Sequence, residues 1–396
     1  MKWWLVVSAV GSGCGARIAS PHTEIPTEDA TLREDAVATE VPSDGSVILP
    51  AWVGAGFGYT CARRHGALRC WGVREEELLG AGAMISRPRP VTVSGLPDGV
   101  GVGTGYFHTC AWDPEGAVWC WGGNSHGALG DGTMTDRAAP IAVTGLTGVV
   151  DLSAGNYVTC ARLRDGSARC WGWNGVGQLG SITTASWGGP TVVPGLVGVA
   201  GFAVGGGHTC AWLNDGTARC WGMNDAGQLG DGTTRGRAVP APVVGLVDVV
   251  GLSAGGGYVC AWLRDGTVQC WGVNNLGQLA DGTLMNRAVP AMIAGISQVV
   301  AVTAGGGHAC ARRADGTVWC WGANTHGQIG DGTTRNRTAP VRISALTGIV
   351  GVTAGYNHTC AWRADGQVWC WGANDRGQLG DGTTIERHTP VAVVGL

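Results

Sequence analysis

Apolar residues in this chain come in short bursts, and each burst is closed by glycine, aspartate, asparagine or proline. Over the last fifty residues the bursts read "VGVTAG", "HTCAW", "VWCWG" and "PVAVVGL". Their lengths and their β-branched and aromatic content suit strands, the clusters between them suit turns, and no segment keeps a helical period over ten residues. The pattern predicts an all-β protein. The same bursts recur in seven units of fifty residues that fill positions 47–396, so this region reads as one repeat architecture.

Cysteine provides an internal check on strand pairing. Of 15 cysteines, all but Cys14 fall in pairs, one pair per unit: Cys61 with Cys70, Cys110 with Cys120, Cys160 with Cys170, Cys210 with Cys220, Cys260 with Cys270, Cys310 with Cys320 and Cys360 with Cys370. If Ala364-Asp365-Gly366 is a three-residue hairpin loop with its glycine in the left-handed region, Arg363 faces Gln367 and Cys360 faces Cys370. Alternation makes that a non-hydrogen-bonded pair, with Cα atoms about 4.5 Å apart and inside disulfide range. The first unit, "CARRHGALRC", is one residue shorter between its cysteines, and a two-residue loop at His65-Gly66 absorbs the difference. In the second unit Pro114 and Gly116 stand where a type I turn with a left-handed residue accepts them. A four-cysteine zinc site would need closer ligand spacing and a metal shared between units. The expectation is seven intra-hairpin disulfides, each worth at most about 3 kcal/mol and serving mainly to pin register.

Units of about fifty residues with four short strands match the blades of a β-propeller. The series "AGxxHTCAxxxDGxVWCWGxNxxGQLGDGTTxxRxxPVxVxGL" resembles the repeat of the regulator of chromosome condensation family across 47–396, most clearly in Gly377-Gln378-Leu379-Gly380 and its counterparts at 127–130, 177–180, 227–230, 277–280 and 327–330. The resemblance implies a seven-bladed propeller. The cysteine pairs depart from the eukaryotic pattern and suit a secreted member. Only two or three residues join "PVxVxGL" to the next unit, whereas about 17 separate "CWG" from the following proline. The expected topology therefore has the long segment cross between blades, with Pro390–Leu396 pairing on the N-terminal strands to close the ring.

Composition fits a tightly packed, turn-rich protein, with 71 glycines, 19 tryptophans and only 14% charged residues. Residues 1–20 read as a secretory signal: one lysine, an apolar run from Trp3 to Val10, then small residues up to Cys14. The run is too short to span a bilayer as a helix. It resembles a bacterial lipoprotein signal cleaved before a lipidated Cys14, although Gly11 stands where that pattern usually has leucine. Cleavage near Ser20, with Cys14 incidental, is the alternative. Residues 21–46 are acidic and poor in large apolar groups, a solvated tether. Paired cysteines and this leader together point to an oxidising, extracytoplasmic place, on a bacterial outer membrane or secreted. Beyond Lys2 there is no lysine, which suits nucleic-acid binding poorly.

Repeated positions carry structural readings. The tryptophan after each second cysteine, Trp71 to Trp371, is assigned to packing between blades. His108, His208, His308 and His358 are assigned to hydrogen bonding rather than to metal. Asp131/Arg137, Asp231/Arg237, Asp281/Arg287, Asp331/Arg337 and Asp381/Arg387 recur six residues apart, and the third unit loses both members to Ser181 and Trp187, which suggests a clamp rather than calcium sites. No nucleophile with its base, phosphate loop or zinc-helix motif is present, so no catalytic, cofactor-binding or metal-ligating residue is assigned. Function is then expected where units differ: Arg74-Glu75-Glu76-Glu77, Trp173, Met223, Asn274-Asn275, Arg376 and the loop tips Met84–Ser86, Thr184–Trp187 and Leu284–Asn286. The candidate surface is Trp173, Trp187, Arg74 and Arg376. The favoured reading is a monomeric, non-enzymatic scaffold that binds a protein or surface polymer, touching membrane only through lipid. The resemblance also admits a secreted enzyme inhibitor and, for a cytosolic protein, nucleotide exchange on a small GTPase; exposed Trp173 and Trp187 would suit a glycan-binding lectin. Intact mass of the mature protein checks the leader and the bridges at once: acylated Cys14 at the N-terminus and a gain of two hydrogens per bridge on reduction are expected.

Overall fold

The computed structural model describes residues 52–72, 87–182 and 186–396, and of Trp187 the backbone alone. The signal segment 1–20 with Cys14, the tether 21–46, Arg74 and Met84–Ser86 lie outside the described residues. Seven antiparallel four-stranded sheets follow one another along the chain, one per fifty-residue unit, and no described residue is helical. This is a seven-bladed β-propeller. In the last blade the strands are Gly351–Ala354, His358–Trp362, Val368–Gly372 and Arg387–Ala392, running from the central axis outward in chain order.

The hairpin between second and third strands is built as its turn residues require. Arg363 N–H donates to Gln367 O at 3.0 Å, and Gly366 takes φ +80°. In the first blade Arg64 pairs with Ala67, while His65 and Gly66 sit at φ 51° and 83°. In the second, Gly116 takes φ +88° after Pro114. Each design sets two cysteines opposite one another, and seven disulfides join them across Cα–Cα distances of 4.0–4.1 Å. All fourteen bridged cysteines are fully buried.

Apolar packing lies between blades rather than within them. The bridge Cys210–Cys220 of the fourth blade packs with Leu252, Val259 and Trp271 of the fifth, beneath Leu229, Val243 and Leu246. Burial of such side chains contributes roughly 1.5–3 kcal/mol each. A buried indole N–H must also find an acceptor. It finds one across the boundary: Trp271 Nε1 donates to Gln228 O at 3.0 Å, Trp321 to Gln278 O at 2.9 Å and Trp371 to Gln328 O at 2.9 Å. The acceptor in each case is the "GQLG" stretch of the preceding unit.

Ring closure follows the same rule and corrects the expected topology. The long segment of the last unit does reach the first blade, where Gln378 O accepts from Trp71 Nε1 at 2.9 Å and from Thr60 Oγ1 at 2.8 Å. The chain then returns: Ala392 pairs with Trp369, Val391 with Cys370 and Arg387 with Gly372, all inside the last unit. Among the described residues no strand is exchanged: the fourth strand has its own third strand beside it and the loop spans the boundary. A belt of backbone bonds completes the circle around the axis, from Phe57 N to Tyr106 O through to Tyr356 N and Gly56 O. Glycine is obligatory beside this belt. A Cβ on Gly305 would lie 2.3 Å from Gly355 O, and one on Gly355 would lie 2.6 Å from Gly56 O.

The outermost strands would be open sheet edges, and two devices blunt them. Every one carries a proline in its fourth position, from Pro90 to Pro390, which removes a donor. The preceding long loop also caps a carbonyl, as when Gly382 N–H bonds Pro88 O at 2.9 Å and Gly332 N–H bonds His388 O at 2.9 Å. Trp71→Phe deletes the indole donor at the junction of last and first blades and leaves a small cavity where the larger ring stood. It is expected to lower stability by about 1–3 kcal/mol, read as a lower urea midpoint with unchanged far-ultraviolet dichroism.

Candidate functional site

The long loops, which hold most of the polar repeat signature, are occupied internally. Asn124, fully buried, donates from Nδ2 to Asp131 Oδ1, Thr133 O and Thr135 O at 3.1 Å each, and its Oδ1 accepts from Leu129 N at 3.0 Å. Asp131 takes further bonds from Thr133 and from Arg137, whose Nη2 lies 2.7 Å from Oδ2. Asp231, Asp281, Asp331 and Asp381 are clamped in the same way by Arg237, Arg287, Arg337 and Arg387. Burial pushes these carboxyls up, but the donors outweigh it, and Asp281 ends pushed down to about 2. Guanidinium and amide donors thus supply the countercharge a cation would bring. The asparagine at the centre was missed by sequence reasoning: Asn274, read there as a variable recognition position, is fully buried and bonds Asp281 and Thr283.

The histidines bond across blade boundaries. His108 Nε2 lies 2.8 Å from Thr159 Oγ1, His308 Nε2 2.8 Å from Thr359 Oγ1 and His358 Nε2 2.9 Å from Thr60 Oγ1. Each threonine spends its own proton on a carbonyl of the histidine's unit, so the imidazole must be the donor and carries its hydrogen on Nε2. In the fifth blade Val259 stands where the other boundaries have threonine, so His208 lacks that hydroxyl partner and interacts with the Tyr258 backbone. Among the described residues no group of histidine, cysteine and acid side chains could hold a metal ion.

What distinguishes the blades lies at the turns between first and second strands. The second strand starts and the third ends at the same level, as the pairing of His108 with Gly122 shows, so these inner turns and the roots of the long loops share one face of the propeller. The inner turns read "GFG", "GYF", "GNY", "GGG", "GGG", "GGG" and "GYN" from first blade to last. Four adjoining blades therefore present aromatic rings and three present bare glycine. Tyr106 and Tyr356 stand edge to face, with centroids 5.3 Å apart, at the end of a central channel that encloses about 60 Å³ and is otherwise lined by small residues from all seven blades. Phe57 packs on Tyr356 at 4.7 Å and on Phe107 at 5.5 Å. From Phe107 the rings continue outward, to Tyr157 at 5.3 Å, to His126 at 4.6 Å and to Trp173 at 6.1 Å. All are half-buried.

Two of the four candidate surface residues join this track at opposite ends. Trp173 closes it at the rim, and the Arg376 guanidinium lies 4.9 Å above the Phe57 ring. Trp187 contributes backbone to the outermost strand of the third blade, paired with Gly172, and Arg74 lies outside the described residues. Met223 stands on the same face over Gly207, and Leu284 and Met285 are exposed on a long loop. The aromatic inner turns themselves were not among the sequence candidates. The signal was present two positions before each "HTC", where glycine alternates with Phe, Tyr and Asn, but only the fold brings those positions to one face.

The described residues thus form a closed propeller with an aromatic track on one face, flanked at one end by the Arg376 guanidinium. The chain belongs to the regulator of chromosome condensation (RCC1) repeat family, whose repeat matches residues 115–162, 215–262, 265–312, 315–362 and 365–396, with a second form of the repeat matching 100–128, 149–178, 199–228, 299–328 and 349–378. The four matches that begin at 115, 215, 265 and 315 run from one hairpin turn to the second strand of the following blade, so each of these spans a blade boundary. No curated protein matches the sequence. Among solved structures, the chain is similar to yeast RCC1 (Prp20) bound to Kap60, with 22% identity, a TM-score of 0.76 and coverage of 96% of this chain and 91% of that one. It is similar to Prp20p of Saccharomyces cerevisiae at 23% identity, TM-score 0.73 and 87% coverage of each chain. Human WBSCR16 superposes at 22% identity and TM-score 0.75, covering 84% of this chain and 94% of that one. These likenesses establish the shared fold.

Burial pushes His108, His208 and His358 down to about 4 and His308 to about 3, the last helped by the neighbouring His358 charge. The unfolded chain takes up protons near the ordinary value of 6.5 that the folded chain refuses, so stability from these groups is complete above that pH and falls as pH drops toward 4. The Asp clamps lose their contribution only in a lower window, below 3.8. Urea midpoints measured from pH 7.5 downward should therefore decline well before the carboxylates titrate. His108→Gln should remove about one proton of that slope, about 1.4 kcal/mol per pH unit.

Proposed function

We propose that the protein is a non-enzymatic binding scaffold acting outside the cytoplasm, which recognises another protein through the inner-turn face of the propeller. The observation that carries this reading is the aromatic track itself: protein-binding surfaces are rich in Tyr, Trp, Phe and Arg and poor in charge at their centres, and the inner turns hold rings and no charged residue. The opposite face differs, its hairpin tips holding Asp165, Asp215, Asp265, Arg264 and Arg363 among others. Seven fully buried disulfides support an oxidising compartment, and with it the reading of residues 1–20 as an export signal and of Cys14 as a lipid anchor.

Structural neighbours in the family are described with protein partners: Kap60 bound to yeast RCC1, and the binding of Prp20p to Gsp1p and histones. Protein binding is the property that transfers; those particular partners do not suit an exported chain. An enzyme held in check by this face is one form the partner can take. A photo-cross-linking residue at Tyr157, compared with one at Ser297 on the opposite face, tests the reading in intact cells. Polypeptide adducts are expected from position 157 only and are lost when Phe107→Asp is added. Equal yields from both positions, or none, would overturn it.

A further inference from the structure

The rings of the track do not form a flat platform. Phe107, Tyr157 and His126 stack nearly parallel, at interplanar angles of 18° and 20°, so their faces cover one another and their edges turn outward. Trp173 stands at 89° to His126, and its indole lies over the Gly175 backbone, which leaves no room there for a Cβ. Aromatic edges carry partial positive charge. The hydroxyls of Tyr157 and Tyr356 and the indole N–H of Trp173 make no hydrogen bond to protein among the described residues. The inner turns carry no carboxylate, and the Arg376 guanidinium over Phe57 has the Asp375 carboxylate 3.7 Å away as its countercharge.

Such a surface asks for an uncharged ligand with apolar flanks that projects hydrogen-bond acceptors and few donors. A sugar chain meets this badly, because it needs acceptors as much as donors and open ring faces to stack on. A polyproline II segment meets it well: its carbonyls are unbonded and project outward, its prolines have no N–H, and its ordering is largely complete before binding. The track advances in steps of 4.6–6.1 Å from Phe57 to Trp173. At a rise of about 3.1 Å per residue, a run of about six or seven residues covers it.

Resting on the reading of this face as the binding face, we propose that the aromatic track from Phe57 to Trp173 takes an extended, uncharged, proline-rich segment of the partner protein. The glycine turns of the fourth to sixth blades offer no side chains to such a segment, so the footprint is confined to one side of the channel.

Fluorescence anisotropy of the full chain with a labelled ten-residue peptide of repeating Pro-Pro-Ala tests this. Saturable binding is expected, weakened about tenfold by Phe107→Ala and several-fold by Tyr157→Phe, which keeps the ring and removes only the donor. Asn275→Ala, on the glycine side, should leave it unchanged. Near-ultraviolet dichroism confirms that the variants are folded. Absence of saturable binding, or binding indifferent to Phe107→Ala and Tyr157→Phe, overturns the proposal. An oligosaccharide bound in a glycan array and released by the same variants overturns it in favour of a sugar. Adducts at Tyr157 in cells without peptide binding would remove this inference and leave the proposed function standing.

Discussion

Each blade of this propeller is completed by its neighbour through one hydrogen bond that it cannot make for itself. The tryptophan after the second cysteine is buried to the last atom, and its indole N–H reaches a backbone carbonyl only in the preceding unit's long loop. That carbonyl is held in place by the loop's own asparagine, aspartate and arginine, whose bonds are all internal to the loop. The polar signature of the repeat thus serves a single apolar contact. Remove the loop's internal order and the acceptor moves; remove the acceptor and a buried donor is stranded, at a cost that each of the six described boundaries would bear.

Because the tryptophan-to-carbonyl bond recurs from boundary to boundary, it consumes positions that repeat and leaves the inner turns free to differ. The aromatic rings have gathered there. The tilt and stacking of Phe107, Tyr157 and His126 follow from close approach of the second and third blades at the channel, since the backbone belt holds neighbouring turns within hydrogen-bonding distance. In the glycine half the turns pack backbone against backbone: a Cβ on Gly206 would meet Gly256 O at 2.3 Å. The aromatic asymmetry of this face is therefore written on a scaffold whose blades repeat one strand order.

Much of this was legible without coordinates wherever the deciding contacts are local. Hairpin loops of two and three residues dictate register, and register alone places Cys61 opposite Cys70 and Cys360 opposite Cys370. The joint loss of Asp and Arg in the third unit announced their pairing elsewhere. Asn274 was misread because its partners lie up to nine positions along a loop with no regular period. Closure of the ring was misread because loop length reports how far a segment can travel and not whether it comes back.

What the chain determined by itself is the blade: strand, turn, strand, bridge, all set by interactions within about fifteen neighbouring residues and repeated seven times. What only the tertiary structure decided is the meeting of blades. Tyr356 and Phe57 come from opposite ends of the chain and touch because the ring closes. His126 stacks on Tyr157 because a loop from one blade leans over the turn of the next. Neither contact has a local cause, since each depends on the angle at which identical sheets pack, and that angle is a property of the assembled core.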